Sequence, residues 1–356
     1  MSDTTPKYIF VENHIKAAIK KKELVDKLPG ERTLAAQLGV SYMTVRKSVE
    51  NLVTQGVLYK VPTKGTYVNY EKPQRSKNYT IGYFLDATMI AGISSPYYSL
   101  IFDAIEKVAA KDDYSVVYFS DNNPDRLNRT LSKVDGVIAT CIPRIEHVIL
   151  EMKQSVPVVV IENSAADKVI PSVIIDNFNA DVESVDYACS LGHSKIGFMT
   201  GLDDSDVGKN RYAGYQYGLR KNKIELDKSL VFNGNYSYQS GIEGAEYFLT
   251  LDELPTTVIC ANDSMALGAI RHFRQEGLNI PEDISIIGFD NIDVAAQIVP
   301  SLTTIASPID EIAKHSFSIL KALIDGKTIE QQHIALPAHL IIRDSCATAK
   351  NKSAAA

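Results

Sequence analysis

From Thr80 to Phe289 the chain alternates short β-branched apolar runs with helix-length amphipathic stretches, and no other feature restricts its fold so strongly. The runs are Thr80 to Leu85, Ser115 to Phe119, Gly136 to Ala139, Val156 to Ile161, Val173 to Ile175, Ile196 to Met199, Val258 to Cys260 and Ser285 to Phe289. Most are separated by stretches such as Tyr98 to Ala110, Ala180 to Ser190, Arg211 to Lys221 and Ser264 to Glu276, and Pro308 to Ile324 follows. A strand that is apolar along its whole length must be covered on both faces, and an intervening helix returns the chain to run parallel. The pattern predicts an α/β fold of parallel sheets with helices on both faces. Ligands of such sheets sit beyond the carboxyl ends of the strands. Polar residues collect there: Ile175 runs into Asp176-Asn177, Cys260 into Ala261-Asn262-Asp263, and Phe289 into Asp290-Asn291.

Leu28 to Val68 obeys a different rule. Leu34 and Leu38 form a short i, i+4 stripe, and Gly39 follows where a helix needs a left-handed stop. Ser41 can cap the next helix, whose Val45, Val49, Leu52 and Val53 line a buried side until Gly56 ends it. Tyr42, Met43, Arg46, Lys47 and Glu50 are left on the outer face, at the end that a recognition helix inserts into the major groove. Val57 to Val61 and Thr66 to Val68 read as two strands around Pro62-Thr63-Lys64-Gly65, which is a wing. Residues 1 to 72 hold 12 Lys plus Arg against 7 Asp plus Glu, a net of +5, so with −6 overall the remaining 284 residues carry −11. A basic head on an acidic body suits a head that meets phosphate and a body that does not. Lys20-Lys21-Lys22 alone reads as a solvated helix end.

The chain is expected to divide into a head at 1–69, a linker at 70–78 broken by Pro73, a core at 79–346, and a frayed tail at 347–356. At 356 residues it exceeds the usual size of one core. With 45% hydrophobic residues and no apolar run near 18, it reads as a soluble protein without a membrane span. The polar start and the alternation of Tyr8, Val11, Ile15 and Ile19 with charged residues do not read as an export signal, which points to the cytoplasm. Cys141, Cys189, Cys260 and Cys346 lack zinc-type spacing and read as reduced thiols.

The head segment Leu-Pro-Gly-Glu-Arg-Thr-Leu-Ala-Ala-Gln-Leu-Gly-Val-Ser, with Thr44-Val45-Arg46-Lys47 and Gly65-Thr66-Tyr67-Val68, closely resembles the winged helix-turn-helix of GntR-type regulators over residues 6 to 69. The resemblance implies that Arg32 opens the second helix, that Thr44 and Arg46 lie on the recognition helix, and that Lys64-Gly65 form the wing tip. Tyr42 stands where that family often has Arg, and Thr63 replaces the first wing glycine; both bear on which operator is read. In the core, Cys-Ala-Asn-Asp-Ser-Met-Ala-Leu-Gly-Ala (260 to 269), Pro-Glu-Asp-Ile-Ser-Ile-Ile-Gly-Phe-Asp-Asn (281 to 291), Leu-Thr-Thr-Ile (302 to 305), Leu-Gly-His (191 to 193) and Leu-Ile-Ile-Arg-Asp-Ser (340 to 345) resemble the sensing core of the lactose/galactose repressor family. That core is similar to a periplasmic sugar-binding protein, two α/β lobes joined by several strands. Head and core together resemble the arabinose-type repressors.

Carried over motif by motif, the resemblance implies effector contacts at Arg211, Asp290, Asn262, Tyr236, and Tyr97 or Tyr98, with Asn177 and Ser307 as further members. A planar fork of donors, an ionised acceptor, an amide and an aromatic plate together suit a sugar or polyol. Other readings stand beside these. Asp263 reads first as a helix cap, Tyr236 as a loop tyrosine, and His193 as the partner of a local backbone group. Asp203, Asp204 and Asp206 read as a solvated loop rather than a metal site. The chain lacks G-x-S-x-G, H-E-x-x-H and Walker signatures, so no catalytic residue, cofactor or metal is assigned. The expectation is a regulator, most naturally a repressor of carbohydrate-utilisation genes. It would bind double-stranded operator DNA as a homodimer and answer a small-molecule effector, a sugar, held between the lobes. A sugar carrier, an α/β enzyme, and a regulator sensing a nucleoside or another non-sugar are the alternatives.

Overall fold

A computed structural model describes residues 6–21, 23–24, 26–54, 56–61, 64–69, 78–87, 91–121, 123–140, 143–164 and 169–350. Residues 70–77 of the expected linker, Pro62 and Thr63 of the wing, Cys141 and residues 351–356 lie outside this set. The chain forms two compact units, Met1–Lys77 and Asn78–Ala356. Among the described residues no helix is long and apolar enough to cross a membrane.

The head packs α1 (Lys7–Lys20), α2 (Glu31–Leu38) and α3 (Tyr42–Thr54) around Val11, Ile15, Leu34, Val45, Val49 and Leu52. α2 stops where Gly39 adopts φ 63°, and α3 starts where Ser41 Oγ accepts from the Thr44 amide at 3.1 Å. β1 (Leu58–Val61) and β2 (Gly65–Val68) pair antiparallel as the wing. Lys27 bridges to Tyr67, and the Leu28 amide donates to Thr66 O at 2.8 Å, so the chain ahead of α2 borders the wing as a third edge.

The core has two lobes. In chain order the first supplies β3 (Thr80–Phe84), α4 (Pro96–Ala110), β4 (Ser115–Phe119), α5 (Pro124–Leu131), β5 (Gly136–Thr140), α6 (Glu146–Ser155), β6 (Val158–Ile161) and β7 (Ser172–Ile175). The second supplies α7 (Asn177–Ser190), β8 (Ile196–Met199), α8 (Asp206–Lys221), β9 (Val231–Phe232), α9 (Tyr238–Leu249), β10 (Thr257–Cys260), α10 (Asp263–Gln275), β11 (Ser285–Asp290), α11 (Asp293–Gln297) and β12 (Thr303–Ala306). The chain then returns to the first lobe for α12 (Ile309–Ile324) and β13 (His333–Leu336), and ends its strands in the second with β14 (His339–Ile341). Three crossings, near 176, 307 and 337, therefore join the lobes.

The first sheet runs β13-β7-β6-β5-β3-β4, parallel throughout, and the second β14-β12-β11-β10-β8-β9. Only β14 departs from the all-parallel expectation: it pairs antiparallel with β12, because it arrives from the other lobe with no helical crossover to turn it. The interior strands β5, β6, β8, β10 and β11 are buried at every residue, which accounts for their unbroken apolar runs.

The tail needs a correction. His193 Nε2 lies 3.0 Å from Ala347 O, the Ala347 amide donates to Ser285 Oγ at 3.1 Å, and the Ala349 amide donates to Leu191 O at 2.8 Å. Small polar side chains hid a segment held by its backbone, so residues 347–350 are structured.

Candidate functional site: an interlobe cleft and a DNA-facing head

The strand ends of both lobes meet around one cavity of about 210 Å³, under the roughly 300–1,000 Å³ usual for drug-sized ligands and suited to a compact molecule. Tyr97, Tyr98, Arg211, Tyr236, Asn262 and Asp290 all line it. Four of the eight non-glycine residues with positive φ among the described residues, Ala91, Glu162, Tyr236 and Asp290, lie on this wall. Backbone held in such conformations gathers at functional sites because the surrounding structure must sustain it.

Arg211, on α8, is the centre. It is 3% exposed, and its face lies 3.4 Å from the centre of the Phe289 ring. Its Nε donates to Asn177 Oδ1 at 2.8 Å and its Nη1 to Ala261 O. The Asn177 amide in turn donates to Ile175 O at 3.1 Å. Asn177 therefore aims Arg211 from behind and is not on the wall. Ser307 is also off it: its hydroxyl is buried without a protein partner, and its amide donates to Asp290 O at 3.3 Å.

Three carboxylates surround this guanidinium: Asp290 at the end of β11, Glu162 after β6, and Asp181 on α7. Burial raises the Asp290 carboxyl well above the ordinary carboxylate range, against the pull of Arg211. Burial also raises Glu162, opposed by Arg211 and by a 2.5 Å hydrogen bond from the Tyr97 hydroxyl. Asp181 is pushed up to about 7 by burial, again against Arg211, and its Oδ2 has no hydrogen-bond partner. The Tyr236 phenol is raised to about 12 by burial, opposed by Arg211, and its hydroxyl too is buried without a hydrogen-bond partner. Its ring lies over Gly201, where an added Cβ would stand 1.9 Å from Cζ; only glycine leaves room for this aromatic.

Asn262 has a second task. Its Oδ1 accepts from the Met265 amide at 2.9 Å, capping α10, and its Nδ2 donates to Tyr236 O at 3.0 Å, fixing the Tyr236 loop. Asp263 neither caps nor lines the cavity. It accepts from Thr304 Oγ1 at 2.6 Å and from the Ile292 amide at 2.9 Å, which braces the turn that carries Asp290. His193 Nδ1 sits 2.9 Å from Thr256 Oγ1, and burial lowers its pKa. Asp204 approaches Arg144 of the first lobe at 3.9 Å, both half-exposed.

Glu162 and Asn163 were missed by sequence reasoning, although they follow the run Val156 to Ile161 as Asp176 and Asn177 follow Ile175. Asn163 reaches across the cleft. Its Oδ1 accepts from the Val207 amide at 3.1 Å and from Ser205 Oγ at 3.4 Å. Ser205, the residue that precedes α8, makes no side-chain cap of its own. The helix that carries Arg211 is thus capped from the opposite lobe.

On the head, Tyr42, Met43, Arg46 and Lys47 are exposed along one side of α3, while Thr44 is half-buried against Ser41. Arg46 Nε meets Glu50 at 3.0 Å, Arg32 stands 6.0 Å from the centre of the Tyr42 ring, and Lys47 stands 4.4 Å over Tyr8. Tyr59 and Tyr67 stack at 5.6 Å on the wing. Lys27, also missed, runs its stem over Gly65, where a Cβ would fall 2.8 Å from Lys27 Cε. Its ammonium thereby joins the Lys64-Gly65 tip.

A winged helix-turn-helix with a basic reading face, joined to a two-lobed core with a polar cleft, defines a ligand-responsive DNA-binding regulator. Residues 7–68 match the bacterial regulatory protein gntR family, and residues 185–346 match the periplasmic binding protein-like domain. Catabolite control protein A of Priestia megaterium is 32% identical over 265 residues, 72% of this chain and 80% of that protein. The transcriptional repressor CytR of Escherichia coli K12 is 29% identical over 329 residues, 88% and 95% of the two chains. A LacI family regulator of Enterococcus faecium, solved with bound ribose, superposes with TM-score 0.67 at 27% identity, covering 76% of this chain and 100% of that one. This chain belongs to the LacI-type transcriptional regulators with a periplasmic-binding-protein-like core, and it carries a GntR-type head.

Proposed function

We propose that the protein is a cytoplasmic repressor that holds double-stranded operator DNA as a homodimer and changes its grip when a small polyhydroxylated molecule enters the cleft. The observation that carries this reading is a buried arginine flanked by carboxylates and phenols where the two lobes meet. Hydroxyl groups can donate to Asp290 and Glu162 and accept from Arg211, and the flat face of a sugar ring suits the tyrosines. The ribose held by the Enterococcus faecium relative supports the same class of effector. We read the cleft as binding rather than catalytic, because the relatives that share this core are transcriptional regulators.

The effector works by preferring one arrangement of the lobes. Couplings of about 1–3 kcal/mol would change operator affinity some 5 to 150-fold. Two heads on two half-sites about one helical turn apart would supply operator specificity. The test is operator binding followed by fluorescence anisotropy while neutral pentoses and hexoses are titrated. One of them is expected to shift operator affinity in the wild type and not in Arg211→Ala. Sugar-insensitive operator binding across such a panel, or a stable monomer by light scattering at micromolar concentration, would contradict the reading.

A further inference from the structure

We infer that the cleft is built for an uncharged polyol and rejects the anionic derivatives of the same molecule, phosphate esters and sugar acids alike. This rests on the polyol reading and narrows it. Among the described residues on the cavity wall Arg211 is the one cation, whereas Glu162 and Asp290 are both acids. A third acid, Asp181, lies buried behind the wall with one oxygen lacking a hydrogen-bond partner. One positive charge is thus set against three carboxyl groups.

Nor is the guanidinium free to grip an anion. A guanidinium has five N–H donors, and here Nε is committed to Asn177 and Nη1 to Ala261 O. The bidentate fork that captures phosphate or carboxylate elsewhere is already half occupied by protein. Two helix N-termini, of α8 and α10, also open on the cavity and would ordinarily favour negative charge. Asn163 fills the first with its side-chain oxygen and Asn262 the second.

What remains on the wall is rich in acceptors. Carboxyl oxygens of Asp290 and Glu162 call for donors, and a neutral polyol brings an O–H with every hydroxyl. An ionised phosphate or carboxylate brings acceptors alone, so it is repelled by any of these acids that is ionised and can be met only by one that keeps a proton. Such a group placed against two acids loses on charge and on hydrogen bonding together.

The experiment uses the full-length protein and calorimetric titration at pH 7.5. The neutral set is ribose, arabinose, xylose, glucose and galactose; the anionic set is ribose 5-phosphate, glucose 6-phosphate, glucuronate and galacturonate. At least one neutral sugar is expected to bind, with every anionic compound weaker by tenfold or more. Glu162→Gln, which removes one acid from the wall, should narrow that ratio several-fold, and retained operator binding would show that the variant is folded. An anionic compound that binds as tightly as any neutral one would overturn the charge assignment while leaving the polyol reading intact. An unchanged ratio in folded Glu162→Gln would overturn it as well. Binding by no compound of either set would defeat the polyol reading, and the charge assignment with it.

Discussion

The head and the core each place an arginine where a partner is proposed to bind, yet the two arginines live in opposite circumstances. Arg46 is exposed on α3 and pairs with the exposed Glu50 at 3.0 Å. Arg211 is enclosed, stacked on Phe289, hydrogen-bonded to Asn177 and Ala261, and accompanied by three acids that lie after β6, on α7 and at the end of β11. An exposed ion pair is worth about 0–1 kcal/mol and can be exchanged for a DNA contact at little cost. A buried cation among acids cannot be removed without leaving charge stranded. The head can therefore change what it reads one residue at a time, whereas the cleft must change as a unit.

The largest effect that would test this contrast is on folding. Arg211→Ala should lower stability by up to about 3–5 kcal/mol, less as the stranded carboxyls take up protons. Adding Asp181→Asn should restore part of that loss, because it removes one of the uncompensated acids. Urea denaturation of the two single variants and the double would show it. Strict additivity would mean that Arg211 and Asp181 do not act as a unit, and the contrast would fail.

Arg46→Ala should cost about 1–3 kcal/mol of operator discrimination, if its guanidinium exchanges Glu50 for a guanine edge, and should leave effector affinity unchanged. Anisotropy with operator and with scrambled DNA separates the two losses. An equal loss on both would assign Arg46 to phosphate alone.

The smallest effect is expected at the wing. Lys27→Gln should weaken binding to operator and scrambled DNA equally, and reduce the slope of log affinity against log salt by about 0.9, the contribution of one phosphate. Since Lys27 and Arg46 share no described partner, their losses should add within about 0.5 kcal/mol. A slope that does not move would remove Lys27 from the DNA surface.

The same contrast explains what could be read in the sequence. In the head the stripe, the Gly39 stop, the Ser41 cap and the outward Tyr42, Met43, Arg46 and Lys47 are set by neighbours within a few residues, so they follow from spacing alone. Central strands were legible because double-sided burial writes unbroken apolar runs. The edge strands β9, β13 and β14 are short and only partly buried, and left no such run. α9 was hidden for another reason. Gly241 and Gly244 look like helix breakers, yet a Cβ on Gly241 would fall 2.0 Å from Met265 O, so the glycine is what lets α9 lie on the backbone of α10. In the cleft, the strand-end rule located Asn262 and Asp290 but gave no way to tell wall from support. Asn177, Asp263 and Asp181 are polar, buried and close by, and which of them faces the cavity depends on side-chain directions that spacing does not encode.

Asn163 behaves as a tethered ligand. Its amide oxygen sits at the start of α8, a separation of the lobes would withdraw it, and the hinge crossings would keep it near that position at high local concentration. A helix cap is worth about 0.5–2 kcal/mol, so closing the cleft carries a stabilisation of that order before any effector arrives. An effector held in the cleft as proposed would add to that bias, and the Val207 amide would report it. Hydrogen exchange at Val207 should slow when effector binds and quicken in Asn163→Ala. The first turn of the helix that carries Arg211 would then be the part of the protein that senses whether the two lobes have met.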